Sequence, residues 1–388
     1  MQMTFRWFGD DDAIPLAHIR QIPGVTGVVS ALYDVPVGDV WPLDRIADLA
    51  SRIDEAGLSL AVVESIPVHE DIKLGRPTRD RFVDHYAESV RNLGEAGVKV
   101  LCYNFMPIFD WMRTDLALPQ PDGSTALAYD DAALSRIDLS RGTGELPGWA
   151  TAYDAPSLHA LLHAYEAVDA ERLWENLEYF LARVVPAAEG SGVRMAIHPD
   201  DPPWSIFGLP RIVTNAENLD RLTRLVDSPA NGVTFCTGSL GADPSNDLPR
   251  MAAALAARGR IHFAHCRNVK WTGDKKFKEV PHPSQLGDVD LHGVLAALHT
   301  AGFDGPIRPD HGRMIWGERG RPGYGLYDRA LGATYLQGLW EGIARTGLRV
   351  EGRGKSGADP AVYNSRHRVR PRVKFADARE HQDSRQPD

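Results

Sequence analysis

The stretch GVTFCTGSLGADPSNDLPRMAAALAARGRIHFAHC, residues 232–266, holds one full structural period of the chain. It opens on a short apolar run, Gly232–Cys236, and continues into a segment, Asp247–Ala257, whose apolar residues recur at helical spacing. A second apolar run, Ile261–Cys266, follows. The two runs are continuous rather than alternating, as expected of parallel strands buried on both faces.

The same period extends to either side. Strands are predicted at Thr4–Phe8, Gly27–Leu32, Leu58–Glu64, Val98–Asn104 and Val193–His198 before this stretch, and at Gly305–Arg308 after it. Helices are predicted at Leu43–Ala56, Arg79–Ala96, Asp169–Glu189, Asn215–Val226, Leu291–Ala301 and Asp328–Thr346, several of them stopping at a glycine. Eight strands alternating with helices predict an α/β fold, the (β/α)8 TIM barrel. An open doubly wound sheet would carry a glycine-rich phosphate loop after its first strand, and RWFGDDD is not one. The interval from Phe105 to Leu158 breaks the rhythm and is rich in Pro, Gly, Asp and Ser. It is predicted to be a long loop insertion after the fourth strand, at the barrel end where such loops line active sites. Beyond Val350 the apolar periodicity stops. The expected organisation is one barrel domain over 1–349 and a charged, disordered tail over 350–388.

Charge and cysteine content exclude several function classes. The 388 residues carry 43 Lys and Arg against 52 Asp and Glu, a net charge of -9. The segment from 350 onward is itself basic, so the acidity lies in the body and nucleic acid is not the expected partner. Arg366, Arg368, Arg370, Arg372 and Lys374 read as part of a solvated tail. No apolar run is long enough to span a bilayer, and the first thirty residues lack the pattern of a secretion signal. Three cysteines do not make a disulfide framework and fit a reducing, cytoplasmic setting. A homo-oligomer is compatible with the sequence but not dictated by it.

Each of the last four predicted strands ends in a residue able to bind a metal. MAIHP gives His198, TFCTG gives Cys236, HFAHC gives His265, and IRPDHG gives Asp310 with His311 beside it. In a barrel these ends converge on one rim. Two imidazoles, a thiolate and a carboxylate suit Zn, Fe(II) or Mn(II) better than Mg or Ca. Taken singly, such a cysteine is ordinarily a small buried hydrophobe, and such a histidine a hydrogen-bonded core residue. Four at the same end of successive strands point to a metal. His262 is the rival of His265, three residues away on the opposite face of its strand.

Several long segments resemble D-mannonate dehydratases: VVESIPVHEDIK (62–73), CYNFMPIFDW (102–111), RTDL (113–116), HPDDPP (198–203), GLPRIV (208–213), CTGS (236–239), GDVD (287–290) and RPDHG (308–312). The likeness runs in order from Phe5 to Gly347. It implies a TIM barrel that binds Mn(II) or Fe(II) through His198, Cys236, His265 and Asp310, and that dehydrates D-mannonate to 2-keto-3-deoxy-D-gluconate in hexuronate catabolism. It also implies a catalytic pair at His311 and Tyr324, the latter in RPGYG, and substrate contacts at His69, Asn104, Arg113 and Arg267. Where the family pattern has two histidines before an IPNG turn, this chain reads Tyr33-Asp34-Val35-Pro36-Val37-Gly38. The tail beyond Val350 is foreign to the pattern.

Such a dehydration needs a base for the proton α to a carboxylate, stabilisation of the enediolate, and an acid for the departing hydroxyl. Tyr324 is expected as base, with His311 as acid or partner; the reverse assignment is open at this point. The other readings are a metal-dependent sugar-isomerase-like barrel, which would favour carboxylate ligands, and a non-catalytic sugar-acid-binding protein, which would lack His311 or Tyr324. The glycines of GLPR and CTGS are expected to serve turns.

Overall fold

The computed structural model describes residues 1–134, 136–137, 139, 148–150 and 153–353, apart from the side chains of 148–150 and 347–353. The chain divides into two units, Met1–Thr346 and Gly347–Asp388. The first is built on fourteen described strands: β1 Gln2–Arg6, β2 Val25–Ser30, β3 Ser59–Glu64, β4 Val100–Tyr103, β5 Phe109–Met112, β6 Asp115–Pro119, β7 Thr125–Asp130, β8 Gly148–Ala150, β9 Arg194–Ile197, β10 Asn231–Cys236, β11 Ile261–His265, β12 Asn268–Gly273, β13 Lys276–Val280 and β14 Pro306–Arg308. Beyond Arg353, the expected charged tail lies outside the described residues.

Eight of these strands close a parallel barrel in the order β1-β14-β11-β10-β9-β4-β3-β2, which is the predicted (β/α)8 TIM barrel. The burial of alternate residues explains the continuous apolar runs. Val29, Val62, Val100, Cys102, Ala196 and Phe263 form one cluster inside the barrel. Their chain neighbours Val28, Val63, Leu101 and Ile197 belong to the larger core shared with the surrounding helices. Both faces of each strand are therefore buried, and polar alternation would have cost solvation on either side.

Helix starts follow local chemistry. Asp169, Asn215, Asp247 and Asp290 each cap a helix by accepting a backbone N–H three residues on, ahead of Ala170–Gly190, Ala216–Leu225, Leu248–Ala256 and Leu291–Thr300. The helix Leu43–Glu55 buries Ile46, Leu49 and Ile53 on one stripe. Among the described residues, no helix is long and apolar enough to cross a membrane.

The insertion after β4 is not a plain loop. It contributes β6 and β7 to a four-stranded antiparallel sheet of order β12-β13-β7-β6, pairs β5 with β8, and includes the helix Ala155–Tyr165. The hairpin β12–β13, directly after β11, was not expected from sequence. The reason is physical: KFKEV in β13 alternates exposed and buried positions, so it has one wet face and lacks the apolar run that marks a barrel strand.

Candidate active site

The parallel register sets the metal-ligand candidates level with one another. Cys236 pairs with His265 across β10–β11, and His265 with Arg308 across β11–β14. His198 follows β9 by one residue and Asp310 follows β14 by two. Donor atoms of His198, Cys236 and His265 all lie within 4.8 Å of one another. Asp310 closes the group, with Oδ2 3.7 Å from Cys236 Sγ and Oδ1 3.6 Å from His265 Nδ1. His262 instead turns away, its Nδ1 2.9 Å from the Met195 carbonyl.

Asp310 holds a left-handed backbone, φ 62°, which costs a non-glycine residue about 1 kcal/mol. Arg308 Nη2 at 2.7 Å and Arg267 Nε at 2.8 Å hold its carboxylate in place. Burial raises the Cys236 thiol, but Arg267 and His198 outweigh this against Asp310, and the net shift is down. The thiolate is the form that ligates a metal. Burial would lower His198, yet the sulfur and carboxylates around it lift the imidazole to about 9. The chemistry of this donor set, two imidazoles, a thiolate-prone sulfur and an ionised carboxylate, fits a borderline divalent ion.

A second group, Glu64, Cys102 and His265, also brings donor atoms within 4.8 Å. It is unsuited to a cation. Two guanidiniums, Arg6 and Arg308, already pair with Glu64 at 3.2 and 3.0 Å, and burial pushes the Cys102 thiol well up.

Beside the ligand group a cavity of about 450 Å³ is lined by His198, Asp310, His311, Tyr324 and Arg267, among others. Cys236 and His265 are fully buried behind its wall. His311 Nε2 lies 2.9 Å from the Tyr324 hydroxyl, and His311 Nδ1 lies 2.9 Å from Glu279 Oε1. Gly323, with φ +78°, makes the turn that presents Tyr324; a Cβ there would stand 2.5 Å from Leu127. Burial raises the Tyr324 phenol to about 12, with Arg308 acting against it. Glu279 is also raised by burial, but His311, Arg267 and Arg113 overcome this and hold it near 2.

The expected substrate contacts divide. His69, Asn104 and Arg267 line the cavity. His69 also caps the short helix Glu70–Lys73 and stacks on Phe82. Arg113 does not reach the cavity. It is fully buried, with Nη1 2.8 Å from Asp201 Oδ1 and Nη2 2.8 Å from Glu279 Oε1, so its charge is spent inside the protein. Arg267 is drawn into the same network, 2.5 Å from Asp201 and paired to Glu279. Gly238 of CTGS serves no turn. A Cβ there would stand 2.1 Å from Arg267 Nε, so the glycine makes room for that guanidinium. Gly208 of GLPR, φ +78°, does serve a turn. Tyr33, Val35 and Val37 line the cavity, so the turn at which the chain departs from the family pattern faces the same space.

Sequence reasoning missed Glu279, Asp201, Glu64, Arg6 and Arg308. Four had a usable signal. Asp201 and Arg308 lie inside quoted motifs, and Arg6, Glu64 and Arg308 are the last residues of barrel strands, on the rim where functional groups gather. Glu279 had none, because KFKEV lacks the apolar run of a barrel strand and Glu279 reads there as an ordinary surface charge. Removing one member of a fully buried ion network is costly. Glu279→Gln, which leaves Arg113 and Arg267 short of an anion, is expected to lower unfolding stability by about 3 kcal/mol. A urea melt of both proteins checks it, and an unchanged midpoint would mean that the network contributes nothing net.

Comparison with known proteins gives the same picture from another side. Mannonate dehydratase 2 of Halalkalibacterium halodurans is 56% identical over 344 residues, 89% of this chain and 100% of the relative. A mannonate dehydratase of Thermotoga neapolitana is 56% identical over 356 residues, covering 89% of this chain and 98% of the relative. The crystal structure of mannonate dehydratase from Streptococcus suis superposes with a TM-score of 0.84 at 49% identity, over 89% of this chain and 96% of that one. L-ribulose 3-epimerase, at 13% identity and a TM-score of 0.52 over 92% of this chain and 100% of that one, shares the fold alone. The family model for D-mannonate dehydratase (UxuA) matches residues 1–349, so the barrel that gathers these side chains belongs to the D-mannonate dehydratase family of hydro-lyases.

Proposed function

We propose that this chain dehydrates D-mannonate to 2-keto-3-deoxy-D-gluconate and water, with Mn(II) or Fe(II) held by His198, Cys236, His265 and Asp310. The carrying observation is the convergence of His198, Cys236 and His265 within 4.8 Å, beside Asp310 and beside a cavity walled by the His311–Tyr324 pair. When bound, the metal acts as a Lewis acid on the substrate's oxygens and stabilises the charge that develops on loss of the C2 proton.

The protein's own groups account for the proton transfers. An ionised carboxylate only accepts hydrogen bonds, so Glu279 at 2.9 Å, nearer to Nδ1 than the Arg267 guanidinium at 3.1 Å, favours the His311 tautomer with its proton on Nδ1. The Nε2 lone pair then faces the Tyr324 hydroxyl, which donates to it. With its phenol near 12, Tyr324 acts as base only as its own proton passes to His311 Nε2. It then takes the proton from C2. The imidazolium so formed, balanced by Glu279, delivers its proton to the C3 oxygen as that bond breaks, and water leaves. The enol left behind tautomerises to the 2-keto acid. One proton is taken from carbon and one given to oxygen, so the pair returns to its starting state.

The closeness of His311 and Tyr324 supports catalysis over simple sugar-acid binding, and a thiolate among the ligands favours this chemistry over that of a carboxylate-dominated isomerase. Three free, buried cysteines are consistent with a reducing cytoplasm, and the substrate class with hexuronate catabolism. The direct test is to incubate the protein with Mn(II) and D-mannonate and assay for a 2-keto-3-deoxy acid. Formation of product at enzymatic rates is expected. No product with either Mn(II) or Fe(II), in protein shown to carry the metal, would sink the proposal.

A further inference from the structure

We propose, building on the sugar-acid reading of the cavity, that Arg6 receives the substrate's carboxylate and selects acids over neutral sugars. Arg6 ends β1, lines the cavity and is 7% exposed. Among the described residues its ionic partner is Glu64, with Nη1 3.2 Å from Oε2. Arg308 draws on the other oxygen of that carboxylate at 3.0 Å, so two guanidiniums share one anion. The Nη1–Oε2 contact is ionic without hydrogen-bond geometry, so Arg6 Nε and Nη1 lack a hydrogen-bond partner, as do Nε and Nη1 of Arg308. A buried guanidinium left so short of acceptors is unfavourable unless an anion completes it, and its planar fork matches a carboxylate.

The place is right as well as the charge. The Arg6 guanidinium carbon lies 4.9 Å from the centre of the Phe8 ring and 5.9 Å from that of Tyr33, which flank it. Tyr324 packs edge-on against the same Phe8, with ring centroids 4.8 Å apart. In an α-hydroxy acid the carboxylate is one bond from C2, the carbon that gives up its proton. The group that holds the carboxylate and the group that takes the proton must therefore be neighbours, and Phe8 makes Arg6 and Tyr324 so. Arg308, which shares Glu64 with Arg6, is committed through Nη2 to both Glu64 and Asp310. Arg267 is committed to Asp201, Glu279 and Asp310. Of these three buried guanidiniums, Arg6 has the fewest ionic partners.

The test is calorimetric titration of the full chain, freed of metal by chelation so that it does not turn over, against D-mannonate and against D-mannitol, which has a CH₂OH in place of the carboxylate. The unmodified chain is expected to prefer the acid. In Arg6→Gln the Kd for D-mannonate should weaken by on the order of 10- to 100-fold while that for D-mannitol stays the same. Should Arg6→Gln fail to fold, Arg6→Lys decides. With the charge kept and the fork lost, D-mannonate should weaken by about 5-fold with no change for D-mannitol. Unchanged acid preference in the folded variant overturns the assignment. An unmodified chain that binds D-mannonate through Arg6 but never dehydrates it once Mn(II) is restored would uphold Arg6 and overturn the proposed reaction instead. A chain with no preference for the acid overturns both.

Discussion

Tyr324→Phe is expected to lower kcat by on the order of 100- to 10,000-fold while bound metal stays at the level of the unmodified protein. The substitution removes one oxygen. That oxygen lies 2.9 Å from His311 Nε2 and belongs to none of the four ligand residues. The ring that remains keeps its edge-on packing against Phe8, and the backbone carbonyl at 324 still accepts from Arg329 Nη2 at 2.6 Å. Folding should therefore survive, and the loss should fall on proton transfer alone. The comparison needs kcat, KM and metal content by elemental analysis on the same preparations. Near-normal kcat with metal in place would show that Tyr324 is not the base and would move that role to His311.

Cys236→Ser should fail in the opposite order, losing metal first and activity as a consequence. Serine offers a hard, weakly acidic hydroxyl where a borderline ion prefers a thiolate. Residues behind metal ligands typically cost 10- to 100-fold in affinity when changed, so loss of a ligand should exceed about 100-fold. The site is ready to notice the exchange. Arg267 and His198 help hold the thiol below its ordinary value, and Ser239 Oγ lies 3.1 Å from the sulfur. Chelation of the unmodified protein should likewise abolish turnover, with Mn(II) or Fe(II) restoring it better than Mg(II). Full activity in metal-free protein, or full metal retention by the serine variant, would overturn the ligand assignment.

The barrel was legible because its strands are buried on two faces. Val28 and Val29, or Val62 and Val63, are both apolar although one faces the barrel interior and the other the helices. That double burial leaves a mark in the sequence which no loop or exposed strand leaves. The ligand candidates were legible for a related reason. They stand at the ends of such strands, and parallel strands in a closed barrel bring their ends together. The antiparallel sheet was not legible, since β6 and β13 are half-exposed and carry ordinary surface residues. Glu279 was hidden with it.

From local pattern alone, then, the sequence determined the strand and helix rhythm, the closed barrel it implies, and the four strand-end residues suited to a metal. Only the tertiary structure decided which charges meet. Arg113 looked like a substrate contact and is sealed against Asp201 and Glu279, whereas Arg6, which carried no motif, sits in the cavity wall short of partners. Spacing along a strand fixes the direction of a side chain through a period of two. Whether a buried charge is already neutralised depends on groups far away in sequence, here 166 residues between Arg113 and Glu279, and only folding brings those into contact.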